Sequence, residues 1–465
     1  MLIMNESKSY LAIDMGAGSI RLVQGIFSNA FEMKEVGRFS NSPEWIDGHE
    51  RWNLDRITCG INALIEKAIR ESEVPINSVG TDSWGVDFVL LGDDGKPLEY
   101  PVAYRDKRTN GMYEKWTKNV MSGFDTFKRT GINYNVFNSL YQFLSIKNSA
   151  VLEKTRHILF ISDYVNYYLS GVKKNELTLS GTTQMLNVDS GNWDETINGY
   201  LGLTNKMPDT PVMPGTVLGH LNINRDIKVV ASAGHDTACA VAAIPYQDEN
   251  FAFISTGTWC IVGMLSDKPL LTKQAYNAGI TNERTANGKF RPLKNIMGLW
   301  LVQQLKMAFG NVHSYTEIDE MAINAGPSFI LVNPDDHLFF NPANMKEAFD
   351  EYLQKKGVAS FTSPAAYYRC AYESLADSFN NTIKEMESIR GYAFNNIHIT
   401  GGGSKSALLC KLTAQYTGKT VIAGPVEGAA VGNLMIQALA DRVFGSDEEA
   451  RICIARYYDV EIYRP

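Results

Sequence analysis

"YLAIDMGAGSIRLVQGIF", residues 10–27, decides between two kinds of α/β protein. Two apolar runs flank a glycine-rich turn, and the second run, "RLVQGIF", alternates as a strand does. The stretch therefore reads as strand, tight turn, strand. "GAGSIR" nearly fits GxGxxG, but Arg21 stands at the last glycine position and no helix follows. A dinucleotide fold needs strand, turn and helix at that point, which excludes it. "GGGSKS" at 401–406 lacks the spacing of the GxxxxGK[ST] phosphate loop. A small-residue turn between strands has another use, because several of its N–H groups can converge on one phosphate.

Working outward, "FAFISTGTWCIVGML" at 251–265 repeats the pattern. Laid over the first stretch, it sets Gly257 against Gly16 and Ser255 against Asp14. Two such units, each opening half of the chain, predict two similar domains, 1–245 and 246–465, with the polar "PYQDEN" as the boundary. At 465 residues, two domains are also the default on size. With 45% hydrophobic and 20% charged residues, the composition is that of a globular chain. A net charge of −7 argues against binding that rests on neutralising nucleic-acid phosphates. No signal peptide, bilayer-spanning run or zinc-ligand spacing is visible, and the six scattered cysteines read as reduced thiols, so a cytoplasmic location is expected.

Helical periodicity covers 54–72, 138–170 and 365–390, and "VGTDSWGVDFVLL" (79–91) reads as two short strands around a polar turn. After 390 come strand "NIHIT", the turn "GGGS", a helix, strand "TVIAG" and the helix "GAAVGNLMIQALA". Alternating strands and helices predict α/β layers. The paired turns "GAGS" and "STGT" are candidates to hold one phosphate chain, and Asp14 suits a magnesium ion. Gly401, Gly402 and Gly403 admit a nucleotide close to the backbone, or serve tight packing. Asp82, Trp84 and Asp87 around Gly85 mix carboxylates with an aromatic face, as suits a sugar, or form an ordinary turn with a buried tryptophan. "LKNIMGLWLVQQL" opens a helix on Lys294 and Asn295. In "GHDTACAVAAI" (234–244), Asp236 and Thr237 stand at a helix start, where an N-cap and a functional carboxylate are both compatible.

Together and in order, "AIDMGAGSIR", "TDSWGVDFVLL", "PVAYRDKRTNGM", "GHDTACAV", "STGTW", "LKNIMGLWL", "GGGS" and "AGPVEGAAVGN" resemble the FGGY carbohydrate kinases over nearly the whole chain. The resemblance implies two actin-like ATPase domains with ribonuclease-H-like cores, facing each other across a cleft. The N-terminal one would bind mainly sugar and the C-terminal one mainly MgATP. It makes Asp236 the base, and matches Gly85, His235, Thr237 and Asn295 to the sugar side. Ala17, Gly18, Ser19, Ile20 and Arg21 match the first phosphate loop, and Gly257 and Thr258 the second. Gln303 and the three glycines match the nucleotide side. Ile20 stands where such kinases usually have glycine, and Gly234 where serine is common. The implied reaction moves the γ-phosphoryl group to O1 of a 6-deoxy-ketohexose, L-rhamnulose first and L-fuculose as the alternative. A catalytically silent sugar or nucleotide sensor is the alternative of another class. No nucleic-acid or membrane partner is expected.

Overall fold

The structure is a computed structural model that describes residues 6–28, 30–246, 248–458 and 460–465. The chain forms two compact units. The first holds residues 1–245 together with Ser266–Pro292 and Ala429–Tyr457; the second holds Tyr246–Leu265, Leu293–Gly428 and Tyr458–Pro465. Two later segments return to the first unit, so the compact units are not continuous in sequence.

In the first unit, Lys8–Met15 and Ser19–Phe27 pair antiparallel, and Phe31–Ser40 extends that edge. On the other side of Lys8–Met15, the strands Ile76–Ser83 and Asn224–Ala231 run parallel, with Thr216–Leu221 antiparallel at the far edge. Residues Tyr10 to Ile13 are buried, as expected of a strand covered on both faces. Helix Leu54–Glu71 is capped by Asn53, whose side chain accepts the Arg56 N–H. Its Ile57, Ile61 and Ile65 recur every four residues and enter the core under this sheet. Burying each such side chain is worth about 1.5–3 kcal/mol.

The helical reading of 138–170 is interrupted. Helices Ser139–Ile146 and Ile161–Ser170 flank the strand His157–Phe160, whose "HILF" pairs with Phe88–Leu91. The three apolar residues after His157 fit a strand and a helix turn equally well in sequence, and tertiary pairing chose the strand. The two strands of 79–91 exist, but Ile76–Ser83 joins the six-stranded sheet and Phe88–Leu91 this small one.

The second unit repeats the pattern. Phe251–Thr256 pairs antiparallel with Trp259–Met264, and 293–297 extends that edge. Asn396–Gly401 and Thr420–Ala423 run parallel on the other side, and Glu461–Tyr463 closes antiparallel. Helix Pro364–Arg390 starts on the Ser363 cap with proline in its first turn, and ends at Gly391 with φ +85°. Lys294 and Asn295 lie in a strand, Phe290–Met297, and the helix opens only at Trp300.

Candidate active site

Strand Asn224–Ala231 leads into a turn, and helix Asp236–Ala242 follows. The cap position is His235, which makes no side-chain cap bond, and Asp236 is the first helical residue. Its Oδ1 accepts the N–H and the hydroxyl of Thr237, and His235 Nδ1 lies 2.8 Å away without hydrogen-bond alignment. These bonds all fall on Oδ1 of a side chain that is 36% exposed, so Oδ2 is the oxygen offered to a ligand. Burial pushes the carboxyl upward, but the His235 ring and the two Thr237 donors outweigh it, and the group lies below its ordinary range.

The turn itself is fixed from both sides. Gly234 N–H donates to Glu176 Oε2 at 2.8 Å, and His235 N–H to Thr178 Oγ1 at 3.3 Å. The Gly234 carbonyl accepts the Ser83 N–H at 2.9 Å and the Ser162 hydroxyl at 3.2 Å. A Cβ at 234 would stand 2.9 Å from both Glu176 Oε2 and Ser162 Oγ. Close packing therefore accounts for glycine there.

Asp14 pairs in register with Asp82 on the neighbouring parallel strand. Arg21 clamps Asp14 Oδ2 through Nε at 2.8 Å and Nη2 at 2.6 Å. Asp82 is fully buried; its Oδ2 accepts Asn433 Nδ2 at 2.6 Å and its Oδ1 has no partner among the described residues. Burial, then the Asp14 charge, hold this carboxyl well above its ordinary value, and Asp236 adds to the effect. Asp82 thus groups with Asp14 rather than presenting a carboxylate to a sugar. In the turn, Asn41 donates to the carbonyls of Gly16 and Gly18, each at 3.0 Å. Ala17, Gly18 and Ser19 form this turn, whereas the Ile20 side chain is buried in the core. Only the backbone of Ile20 can serve a phosphate.

The turn after Asp82 keeps its aromatic inside. Trp84 packs on Trp52 at 4.4 Å between ring centroids, and both indoles donate to Asp87 Oδ2, at 2.9 and 2.7 Å. Trp84 is therefore a core residue, not an open stacking face. Gly85 abuts Thr182, and Val86 adopts φ +69°, a conformation that β-branched residues rarely take. Burial raises the Asp87 carboxyl to about 6 against the bonds from the two indoles.

The second unit holds the other candidates. Gly257 N–H donates to Trp259 O at 3.0 Å and its carbonyl accepts Leu299 N–H at 2.9 Å. Thr258 Oγ1 lies 3.4 Å from Gln303 Oε1, which brings these two together. The three glycines divide. Gly401 has φ +82° and a Cβ there would meet Thr256 O at 2.4 Å; at Gly403 it would meet the Thr256 side chain at 2.9 Å. Those two are required by packing, and only Gly402 has open space beside it. Asn295 is half-buried, opposite Ile261.

The chain matches the N-terminal domain model of the FGGY family of carbohydrate kinases over residues 9–243 and the C-terminal domain model over 252–440. The chain belongs to the FGGY family of carbohydrate kinases. It is 37% identical to a rhamnulokinase of Oceanobacillus iheyensis, over 97% of both chains. It is 35% identical to one from Ligilactobacillus salivarius, covering 98% of this chain and 96% of that one. In fold it is similar to a gluconate kinase from Lactobacillus acidophilus, with TM-score 0.80, 15% identity, and 99% and 94% of the two chains covered. A Plasmodium falciparum glycerol kinase with ADP gives TM-score 0.79 at 15% identity, covering 98% of this chain and 94% of that one.

Within this FGGY kinase, Asp14, Asp82, Gly85, Trp84, His235, Asp236 and Thr237 lie in the first unit. Asn295, Gly257, Thr258, Gln303 and Gly401 to Gly403 lie in the second. Sequence reading missed Glu176, Glu283, Arg291 and Asn433. Asn433 carried a signal, being a polar residue inside the small-residue helix Gly428–Ala440. Glu176, Glu283 and Arg291 carried none, because each is separated in sequence from the turn it serves.

Proposed function

We propose that the chain transfers the γ-phosphoryl group of ATP to O1 of L-rhamnulose. The observation that carries this reading is the Asp236 carboxylate, anchored through Oδ1 with Oδ2 offered outward, in a chain 37% identical to a rhamnulokinase. Asp236 takes the proton of the attacking hydroxyl through Oδ2. A carboxylate held ionised is a weak base, which suffices because the hydroxyl becomes acidic only as the new P–O bond forms. Phosphoryl transfer depends chiefly on alignment and charge stabilisation.

In this reading, residues 1–245 serve mainly the sugar and 246–465 mainly ATP. His235, Thr237, Gly85 and Asn295 contact sugar; Ala17 to Arg21, Gly257, Thr258, Gln303 and Gly402 contact the nucleotide. Asp14 and Asp82 fit a magnesium ion: they are hard oxygen donors in register, and Asp82 Oδ1 is buried without a partner among the described residues. Bound there, magnesium would neutralise charge on the transferred phosphoryl group. No group of three or more His, Cys, Asp or Glu side chains poised for a metal occurs among the described residues, so the ion would depend on ATP for further ligands. No helix among the described residues is long and apolar enough to cross a membrane.

An ADP-release assay with MgATP against L-rhamnulose, L-fuculose, L-xylulose, D-xylulose and L-ribulose tests the reading. The expected result is the highest kcat/KM on L-rhamnulose. A lead for L-fuculose would reassign the stereochemistry, and no turnover on any ketose would replace the kinase with a sensor.

A further inference from the structure

The segment Ser266–Pro292 returns from the second half of the sequence to the first unit, and it brings two charged residues beside the base. Arg291 has no exposed surface; its Nη2 donates to Glu283 Oε2 at 2.6 Å and its Nε to the Arg284 carbonyl at 2.9 Å. Glu283, itself 10% exposed, sets that same Oε2 3.6 Å from His235 Nε2. The other ring nitrogen of His235 lies 2.8 Å from Asp236 Oδ1. An imidazole is thus held between two carboxylates, one of them pinned by a buried arginine.

We propose that Glu283 is a positioning residue for the base, acting through His235 on the Asp236 carboxylate. The inference rests on Asp236 being the base. A charged group buried in an apolar surround is costly unless paired, and the Arg291–Glu283 pair places its cost beside the reacting centre. Arg291 fixes where Glu283 stands, the Glu283 carboxylate faces one nitrogen of the His235 ring, and the other ring nitrogen faces Oδ1. The oxygen that must face the hydroxyl is then always Oδ2. The two Thr237 donors both fall on Oδ1, so by themselves they leave the carboxylate free to tilt about that oxygen, and misplacement by an ångström is enough to cost catalysis heavily.

The test is a double-mutant cycle on the full chain with L-rhamnulose and MgATP, using Glu283→Gln, His235→Ala, the pair, and Asp236→Asn in parallel. Gln keeps an acceptor for Arg291 and removes the charge facing the ring. Glu283→Gln is expected to lower kcat about ten-fold with sugar and ATP KM within about two-fold; the melting temperature falls as well, because Arg291 loses its counter-charge, so rates are compared at a temperature where every variant is folded. In the His235→Ala background the same change should cost less than about two-fold, since its route to Asp236 is gone. An equal fold-loss in both backgrounds would overturn the positioning role, since it would not depend on the His235 ring. So would wild-type kcat in Glu283→Gln. If Asp236→Asn keeps its turnover, the base reading itself fails; if Asp236→Asn is inactive while the cycle is additive, only this inference fails.

Discussion

In the first unit Asp14 stands two residues before Gly16 and pairs in register with Asp82; in the second, Ser255 stands two residues before Gly257 and pairs with Thr400. The strand pairing is repeated, with the second turn one residue shorter, since Thr256 pairs with Cys260 where Met15 pairs with Ile20. Gly16 N–H bonds Ser19 O at 2.9 Å, and Gly257 N–H bonds Trp259 O at 3.0 Å. The side chains are not repeated. One turn carries two carboxylates and an arginine, the other hydroxyls and glycines. Under the proposed function, the same strand–turn–strand scaffold would serve cation and proton chemistry in one unit and neutral, donor-rich binding of an anion in the other. Duplicated topology fixes where a site sits, and a few side chains at equivalent register fix what it does.

The largest effect should come from Asp236, the proposed proton acceptor, in the first unit. Asp236→Asn keeps an oxygen for the Thr237 donors and removes the base. Turnover should fall by about 10²–10⁴-fold with the melting temperature unchanged, read in the ADP-release assay. Next comes the pair at equivalent register. Asp14→Asn should lower activity by about ten-fold or more and raise the magnesium concentration needed for half-maximal rate. Ser255→Ala, at the matching place, should leave the magnesium titration where it is. Equal shifts in the two variants would break the comparison.

The α/β alternation, both strand–turn–strand units and the long helix near 365–390 were legible because periodicity and turn chemistry are local. The exchange of Ser266–Pro292 and Ala429–Tyr457 into the first unit was not, since nothing in those segments marks which core they join. The close approach that admits the second of them is visible only in space: a Cβ at Gly432 would fall 1.9 Å from the Cys239 carbonyl. At the site, Asp14, His235 and Asp236 stand out in sequence because they sit where a strand ends or a helix begins. Trp84 misleads, because an indole next to a carboxylate reads the same whether it faces a sugar or, as here, donates to Asp87 inside the core.

The units also bury charge differently, and pH should show it. In the first, Asp87 is fully buried and its carboxyl is raised to about 6. Between about 4, the unfolded value, and about 6, the folded chain holds a proton that the unfolded chain has released. Stability therefore falls as pH rises through that window and levels off above it, a cost on the order of 3 kcal/mol. Asp87→Asn keeps an acceptor for the two indoles and should reduce the slope of melting temperature against pH across that range. A slope equal to that of the parent chain would place the buried charge elsewhere.

The smallest effect on the fold is expected at Gly402, and it sharpens the second unit's side of the comparison. Its neighbours cannot change cheaply, since a methyl at Gly403 would press on the Thr256 side chain at 2.9 Å, and Thr256 Oγ1 accepts the Gly403 N–H at 2.8 Å. Gly403→Ala should therefore cost about 1–3 kcal/mol of stability, as overpacking does, in a denaturant titration. Gly402 has nothing within 4 Å of a Cβ, so Gly402→Ala should leave stability within about 0.5 kcal/mol. If the nucleotide lies against this open backbone, the added methyl raises the KM for ATP and leaves the KM for sugar alone. A variant that is stable and has an unchanged KM for ATP would move the nucleotide off the glycine turn and leave the Gly257–Thr258 turn as its remaining seat.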